Sequence, residues 1–437
     1  MKSKTKIAII SVATLLLIIA VLMFVFNGAT KTADITVLDN AGNPIGSLQG
    51  MNYDGEYADF CDVVIDELAE ILGEQPSGTY TVYSTFDKTA FDACEKSYES
   101  TSFSKVDFAQ VVTKVDGQIL SVFSAGNDKL NFAVEKTQPY SAFKPISVYA
   151  PAFENGTITW ASSFFDSPVK QITDEDGTLK DWPANATGVY QNVNVSLEDC
   201  IKHSLNTAAV KCLIESGISE SVDFLYEKFG IDVTFERDQI ALKGEDESLH
   251  NIALGYLTAG VSPLDMAGYY QIFADGGKYI KPYAVLKITD EDDNVIYEHK
   301  AEKKQVISEE TAEIMNRLLQ NTLTKGGTAE KAQYDDLLIG GKTGTGSNYR
   351  GNWFVGYTPE YCCAVWHGAY PGNVCAETFS VLVSGLIHDK SESYPECKNV
   401  VRRGFCKESG GMITMNCNSM ASGFFASDCK LDKCELH

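Results

Sequence analysis

The sequence predicts an α+β fold in which an antiparallel sheet packs against a helical subdomain, preceded by one transmembrane helix. Three observations predict it. Strand-like segments are concentrated at 79–123 and 279–367, residues 142–270 carry apolar side chains mostly at helical spacing, and 7–26 are almost entirely apolar. Because strands flank the helical region on both sides, we expect strands from the two ends to close one sheet.

The individual elements follow from periodicity and turn residues. Before the helical region we expect strand–turn–strand over 35–50, a helix over Tyr57–Leu72, a strand over Thr79–Phe86 and a hairpin over Val111–Phe123. After residue 142 we expect helices over Leu197–Ile214, Val222–Phe229 (ended by Gly230) and Glu309–Leu323, and strands over Tyr279–Tyr297, Leu337–Gly346, Trp353–Gly356 and Tyr361–His367.

The N-terminus predicts an uncleaved membrane anchor. Three lysines (Lys2, Lys4 and Lys6) precede the apolar stretch Ile7–Phe26, whose helix would be about 30 Å long and match a bilayer core. The lysines favour a cytoplasmic N-terminus, so that all later residues are extracytoplasmic. The residues that follow, Asn27–Ala29, make a poor cleavage site, and a removed signal peptide is the alternative.

These features divide the chain into five predicted parts. Residues 1–6 form a cytoplasmic tail, 7–26 the anchor, 27–78 a small linker region, 79–388 the main domain and 389–437 a Cys-rich extension. The net charge of −23 argues against a nucleic-acid partner, because phosphate binding needs clustered Lys and Arg. Nothing in the sequence indicates a cofactor.

The cysteines fit an oxidising compartment. There are 12 in the chain, and six follow residue 370 (Cys375, Cys397, Cys406, Cys417, Cys429 and Cys434). This pattern predicts a C-terminal tail that is cross-linked by disulfides. The sequence leaves open which cysteines pair with which. We expect no metal site, since no C-x-x-C pair occurs. Cys362 and Cys363 lie in a strand-like run, so we expect them to pack on its opposite faces.

Three short motifs carry the predicted chemistry: Ser141-Ala-Phe-Lys144, Ser204-Leu-Asn206 and Lys342-Thr-Gly-Thr345. S-x-x-K occurs five times and is weak alone, whereas S-x-N and K-T-G each occur once. In this order they resemble the motif set of penicilloyl serine transferases. Taken singly, the motifs have structural alternatives: a helix N-cap for Ser141, an exposed helix face for Ser204 and Asn206, and a glycine-containing edge strand for Lys342–Thr345.

Each motif residue has a chemical role that its type can fill. Ser141 is the expected nucleophile, Lys144 its base with a pKa lowered by Lys342, and Ser204 a proton relay to the leaving group. Asn206 is expected to bind a substrate amide.

The K-T-G strand is the expected substrate-binding wall of the cleft, formed by Thr343, Gly344 and Thr345. Gly344 allows close approach of substrate backbone, and Thr345 offers a hydroxyl to a carboxylate. The Thr345 N–H can pair with that of Ser141 as an oxyanion hole.

The flanking residues resemble the transpeptidase domain of class A penicillin-binding proteins over roughly residues 55–370. The similarity lies in five blocks: Gln138–Pro145, Asn194–Val210, Leu254–Leu264, Phe273–Gly277 and Gly341–Thr345 with Asn352–Pro359. The resemblance implies a transpeptidase fold, acyl transfer on peptidoglycan stem peptides and covalent binding of β-lactams.

The sequence departs from that family in ways that matter. Residues 27–77 are too short for a glycosyltransferase domain, so we expect a monofunctional enzyme that depends on a separate glycosyltransferase. Tyr140 stands where the family usually has Gly. We expect its bulky ring, beside the nucleophile, to affect the reaction rate and the affinity for β-lactams more than the type of reaction. Asn352 also differs from the family pattern.

The competing functions are a D,D-carboxypeptidase and a non-catalytic β-lactam-sensing or peptidoglycan-binding protein. A β-lactamase is disfavoured because no E-x-x-L-N motif follows Ser141.

Overall fold

The structure is a computed structural model that describes residues 33–436 except 50, 54, 74–75, 102–105, 127–129, 174–175, 244–245, 347–349, 370–373 and 388–392. The predicted anchor at residues 7–26 lies outside the described residues. Among the described residues, no helix combines the length and the apolar composition needed to span a bilayer.

The strands are β1 (Asp34–Leu38), β2 (Pro44–Gln49), β3 (Thr79–Ser84), β4 (Phe108–Lys114), β5 (Ile119–Ala125), β6 (Ser163–Phe165), β7 (Lys170–Thr173), β8 (Leu179–Trp182), β9 (Asn194–Ser196), β10 (Lys278–Tyr279), β11 (Val285–Thr289), β12 (Val295–Glu298), β13 (Lys304–Gln305), β14 (Gly340–Thr345), β15 (Arg350–Tyr357), β16 (Tyr361–Ala369), β17 (Val400–Cys406) and β18 (Met420–Ala426). The α-helices are α1 (Ala58–Leu72), α2 (Lys88–Ser100), α3 (Ala150–Glu154), α4 (Leu197–Lys202), α5 (Asn206–Ser216), α6 (Ile218–Phe229), α7 (Thr234–Lys243), α8 (Asp246–Leu254), α9 (Pro263–Tyr269), α10 (Gln271–Ala274), α11 (Glu309–Asn321) and α12 (Val374–Leu386).

The central sheet is antiparallel and has the order β14–β15–β16–β4–β5. Strands from both ends of the domain therefore meet, as the sequence predicts, with β4 pairing along β16. The hairpin β4–β5 turns at Asp116–Gly117, where Gly117 has a φ of +90° that a residue with a Cβ adopts only under strain. The strand β14, which carries the K-T-G motif, lies at the edge of this sheet.

A second sheet has the order β12–β11–β3–β1–β2. The predicted strand Thr79–Phe86 joins this sheet as β3, beside β1 in parallel. Residues 34–49 and helix α1, which fall within the predicted linker region, are thus packed structure. The Glu67 carboxylate of α1 accepts hydrogen bonds from the backbone N–H groups of Ala284 and Val285, and burial raises its pKa to about 7.

Residues 142–270, which lie in sequence between the early and late strands of these sheets, are mostly helical from Leu197 onwards, as predicted. The prediction is wrong for the described residues of 155–196, which form the short strands β6–β9 and loops. One expected helix, Leu197–Ile214, is divided into α4 and α5. The break falls at Ser204, whose backbone adopts a left-handed conformation with a φ of +57°. The expected end of α6 at Gly230 is observed, with a φ of +69°. Cys362 and Cys363 are both fully buried and belong to hydrophobic clusters on opposite faces of β16, as predicted.

The C-terminal segment (residues 393–436) forms the hairpin β17–β18, which packs on α11. The guanidinium of Arg317 lies 4.0 Å from the ring centroid of Phe424, and Glu313 accepts a hydrogen bond of 2.6 Å from the Cys397 backbone N–H. The predicted disulfides are wrong for this structure, because none of the twelve cysteines is joined in a disulfide. One reason is spatial: Cys375 is buried under the central sheet, in a different cluster from Cys406, Cys417 and Cys434.

Candidate active site

Ser141 lies in a single 3₁₀ turn, Tyr140–Ala142, that leads into a helical segment over residues 144–154. The predicted helix start is present, but its first turns depart from α-helical pitch, since Pro145 has no N–H to donate. Neighbouring backbone holds the turn: Tyr140 N–H donates to the Gly255 carbonyl (3.0 Å), and the Tyr270 hydroxyl donates to the Ala142 carbonyl (2.6 Å).

The break between α4 and α5 presents Ser204 and Asn206 to the cleft. Asn206 begins α5, and its backbone N–H donates to Asn185 Oδ1 at 2.9 Å. Its side-chain Nδ2 donates to the Ala184 carbonyl at 2.7 Å, which sets the orientation of the amide. The left-handed backbone of Ser204 changes the direction of the chain between the two helices, so Ser204 and Asn206 both line the cleft.

A buried carboxylate supports Asn206 from behind. Asp166 accepts hydrogen bonds from Asn185 Nδ2 (2.8 Å), the Thr207 hydroxyl (2.6 Å) and the Gln191 backbone N–H (2.8 Å). Burial alone would raise the pKa of Asp166, but these donors together lower it below its ordinary value. Sequence reasoning missed this network, because no motif links Asp166 and Asn185 to Asn206.

The K-T-G strand packs directly against the Ser141 turn. A Cβ on Gly344 would lie 2.6 Å from the Pro139 carbonyl oxygen and 3.1 Å from Ala142 Cβ, so only glycine fits. This close approach brings Thr343 and Thr345 to the same cleft as Ser141.

Two buried lysines lie beneath the cleft. Lys144 Nζ donates to the Ser204 carbonyl (3.0 Å) and to Asn206 Oδ1 (2.6 Å). Lys342 Nζ donates to Ser204 Oγ (2.8 Å) and to the Thr343 carbonyl (3.1 Å). The two lysine amino groups therefore contact Ser204 at its carbonyl and at its hydroxyl oxygen.

Burial changes the protonation of both lysines. It lowers the pKa of Lys144 well below 10.5, and the nearby charge of Lys342 lowers it further. Burial also lowers the pKa of Lys342, to about 7. Close to neutral pH the pair thus has access to a neutral amine.

The cleft has a volume of about 500 Å³. Its lining includes the predicted residues Ser141, Ser204, Asn206, Thr343 and Thr345. Lys144, Lys342 and Gly344 lie immediately behind them, so the structure brings all eight predicted site residues together. Sequence reasoning missed His203, Tyr256 and Thr328, which also line the cleft.

Tyr140 adopts the backbone conformation that a glycine would favour. Its φ is +49°, in the left-handed region. The ring packs edge-to-face on Tyr256, with the centroids 5.1 Å apart, and a Cβ on Gly351 would lie 3.0 Å from it. The aromatic side chain thus packs behind Tyr256, which lines the cleft.

Comparisons with known proteins agree with this geometry. The family model described as the penicillin-binding protein transpeptidase domain matches residues 94–367. Penicillin-binding protein 1F of Bacillus subtilis is 32% identical over 331 residues, which cover 71% of this chain and 43% of that protein. Penicillin-binding protein 1A of Clostridium botulinum is 29% identical over 311 residues, which cover 67% of this chain and 36% of that protein.

Solved structures share the fold at 17% sequence identity. The D,D-transpeptidase domain of a peptidoglycan glycosyltransferase from Eggerthella lenta has a TM-score of 0.65, covering 82% of this chain and 98% of that one. Penicillin-binding protein 1A from Haemophilus influenzae has a TM-score of 0.70, covering 90% of this chain and 79% of that one. These similarities confirm the predicted transpeptidase-like α+β fold.

The aligned region spans less than half the length of the two curated relatives above. The chain belongs to the family of penicillin-binding protein transpeptidase domains.

Proposed function

We propose that this protein is a membrane-anchored serine D,D-transpeptidase that cross-links peptidoglycan stem peptides and is acylated by β-lactams at Ser141. The convergence of three motifs on one cleft, with Ser204 held between two buried lysines, carries the proposal. We place the anchor at residues 7–26 and the catalytic domain, residues 79–388, outside the membrane.

The first step is attack of Ser141 Oγ on the carbonyl of the penultimate D-Ala. Lys144 is the base. Its hydrogen bonds to Ser204 and Asn206 use two N–H groups, which is all that a neutral amine has, so the lone pair is available for the Ser141 proton. The backbone N–H groups of Ser141 and Thr345 stabilise the oxyanion.

The second step expels the terminal D-Ala as an amine, which needs a proton. Ser204 supplies it, because Lys342 donates to Ser204 Oγ and leaves the Ser204 hydroxyl hydrogen free to transfer. Lys342 then restores that proton to Ser204. An incoming amine from a neighbouring stem reverses these transfers and takes the acyl group, which regenerates Ser141.

Substrate binding uses the two walls of the cleft. Strand β14 is an edge strand, so its outward backbone groups can pair with an extended stem peptide. Thr343 and Thr345 offer hydroxyls to the substrate carboxylate, and Asn206 offers the second N–H of its amide to the peptide. Gly344 keeps this wall close to the nucleophile.

Fluorescent penicillin tests the nucleophile. The full chain should form a covalent adduct that disappears in Ser141→Ala. Ser167→Ala is the matched control, since Ser167-Pro-Val-Lys170 repeats the S-x-x-K spacing elsewhere in the chain. Absence of an adduct on the folded wild type would favour a non-catalytic peptidoglycan-binding protein.

A second measurement separates transpeptidase from carboxypeptidase. With stem peptide as donor, D-Ala release should require an acceptor amine and give a cross-linked product. Release at the same rate in water alone would assign D,D-carboxypeptidase activity, with water taking the place of the amine.

A further inference from the structure

Three cysteines from separate parts of the C-terminal segment meet in one buried cluster. The Sγ atoms of Cys406, Cys417 and Cys434 all lie within 4.8 Å of one another, and none of the three cysteines is joined in a disulfide. Cys406 ends β17, Cys417 lies in the loop before β18, and Cys434 follows β18. Among the described residues, this cluster has no aliphatic or aromatic member.

The backbone around the cluster fixes these segments against each other. Cys406 N–H donates to the Gly411 carbonyl and Cys434 N–H to the Met412 carbonyl, at 2.8 and 3.1 Å. A Cβ on Gly411 would lie 2.6 Å from the Asp432 carbonyl oxygen, so the glycine permits the close approach of loop and C-terminus. The three sulfurs are therefore positioned by main-chain contacts, without relying on a flexible tail.

Hydrogen-bond donors surround the sulfur atoms. Thr414 places its backbone N–H 3.3 Å and its hydroxyl oxygen 3.5 Å from Cys417 Sγ. The backbone N–H and the hydroxyl of Ser409 donate to the Cys406 sulfur. Such donors stabilise a thiolate, which is the form of cysteine that binds metal ions.

We propose that Cys406, Cys417 and Cys434 form a binding site for a thiophilic divalent cation, with Zn²⁺ as the ion to test. A tetrahedral zinc ion with Zn–S bonds of about 2.3 Å separates its sulfur ligands by about 3.8 Å, which is within reach of the observed spacing. The three thiols release their protons to water as three metal–sulfur bonds form, and no electron is transferred. The fourth position is left to a water molecule.

A cluster of three cysteine sulfurs suits a metal ion better than a disulfide, which joins only two. A disulfide requires two sulfurs at about 2.05 Å and would leave the third thiol of the cluster without its partner. The expectation of no metal site rested on spacing along the chain, and the ligands here are separated by the length of a hairpin. Folding alone brings them together.

A metal ion at this site would cross-link the segments around the hairpin β17–β18. Small segments with few core residues need a metal or cross-link to hold their loops. Here the three ligands join the end of β17, the loop before β18 and the C-terminal end of the described chain.

Elemental mass spectrometry of the full chain, purified reduced, without chelator and with a tag that contains no histidine, tests the proposal. We expect about one zinc ion per chain in the wild type and a loss of roughly tenfold or more in Cys417→Ser. Cys429→Ser is the matched control, because Cys429 lies in the same segment but outside the cluster, and it should retain the metal.

Cobalt substitution gives a second readout that does not depend on activity or on the stability of a variant. Co²⁺ bound in the wild type should show sulfur-to-cobalt charge-transfer absorption and the visible bands of a tetrahedral ion. The proposal is overturned if reduced, folded protein binds neither ion, if Cys417→Ser keeps the wild-type metal content, or if peptide mapping finds two of the three cysteines joined as a disulfide.

Discussion

The catalytic cleft and the C-terminal segment both bury reactive side chains, but in opposite surroundings. In the cleft, Lys144 and Lys342 are fully buried within a large domain and donate to the oxygen atoms of Ser204, Asn206 and Thr343. In the C-terminal segment, the buried cluster consists of the cysteines themselves. The cleft can hold buried amines, whose desolvation opposes folding, because the surrounding core is large. In the C-terminal segment, the proposed metal site would instead use the cysteines to hold the loops together.

Helix α11 lies between the two regions. On one side, Arg317 contacts Phe424 of the C-terminal segment. At its C-terminal end, the Thr322 hydroxyl donates to the Gly341 carbonyl of β14 at 2.8 Å. Both regions therefore contact α11, and substitutions can show whether a change in one region alters the activity or the stability of the other.

The largest effect is expected from removing the base in the cleft. Lys144→Met keeps most of the side-chain volume but removes the amine, so acylation by β-lactam should slow by about 10³-fold. Stopped-flow or gel-based acylation rates measure this, and Lys211→Met on the neighbouring helix α5 is a control. A rate within tenfold of wild type would mean that another group takes the Ser141 proton.

Sequence alone located the residues of the cleft better than the architecture that supports them. Ser141, Ser204 and Lys342 stand in short motifs that can be recognised by residue type and order, and the structure brings these motifs to one cleft. The strands β4 and β16 were predictable because a short, nearly continuous run of apolar residues bounded by turn residues is a local signal.

Features that depend on long-range contacts could not be predicted in this way. The apolar periodicity across residues 197–214 continues through Ser204, although two hydrogen bonds support a break there: the Asn206 N–H donates to Asn185 Oδ1, and Lys144 Nζ donates to the Ser204 carbonyl. Likewise, nothing in the spacing of Cys406, Cys417 and Cys434 indicates that they meet. Both arrangements arise from pairing between distant segments, to which local patterns are insensitive.

A smaller effect, on stability, should follow from removing the second lysine. The native pKa of Lys342 is about 7, below its ordinary value of 10.5, so the unfolded chain binds more protons between these pH values. Stability therefore rises with pH across that window, and the wild type is destabilised near pH 7. Lys342→Met should raise the free energy of unfolding at pH 7 by about 1–3 kcal/mol.

Urea unfolding at pH 7 and pH 10 measures this effect. The gain should shrink at the higher pH, where the unfolded lysine also begins to lose its proton. Lys228→Met, an exposed lysine on α6, should change stability by less than about 0.5 kcal/mol at either pH. A loss of stability in Lys342→Met at pH 7 would show that the bonds to Ser204 and Thr343 outweigh the cost of burial.

The smallest effect on catalysis is expected from loosening the C-terminal segment. Phe424→Ala removes the ring that packs on Arg317 and on Trp160, whose centroid lies 5.3 Å away, so β17–β18 should detach more readily from α11. Limited proteolysis should cut the segment several-fold faster, while the acylation rate stays within about twofold, because the domain core holds β14 independently of the segment. Phe235→Ala, an exposed ring on α7, is the control for non-specific loosening. A parallel fall in acylation would mean that α11 transmits the position of the C-terminal segment to the K-T-G strand, and the two regions would then have to be regarded as one functional unit.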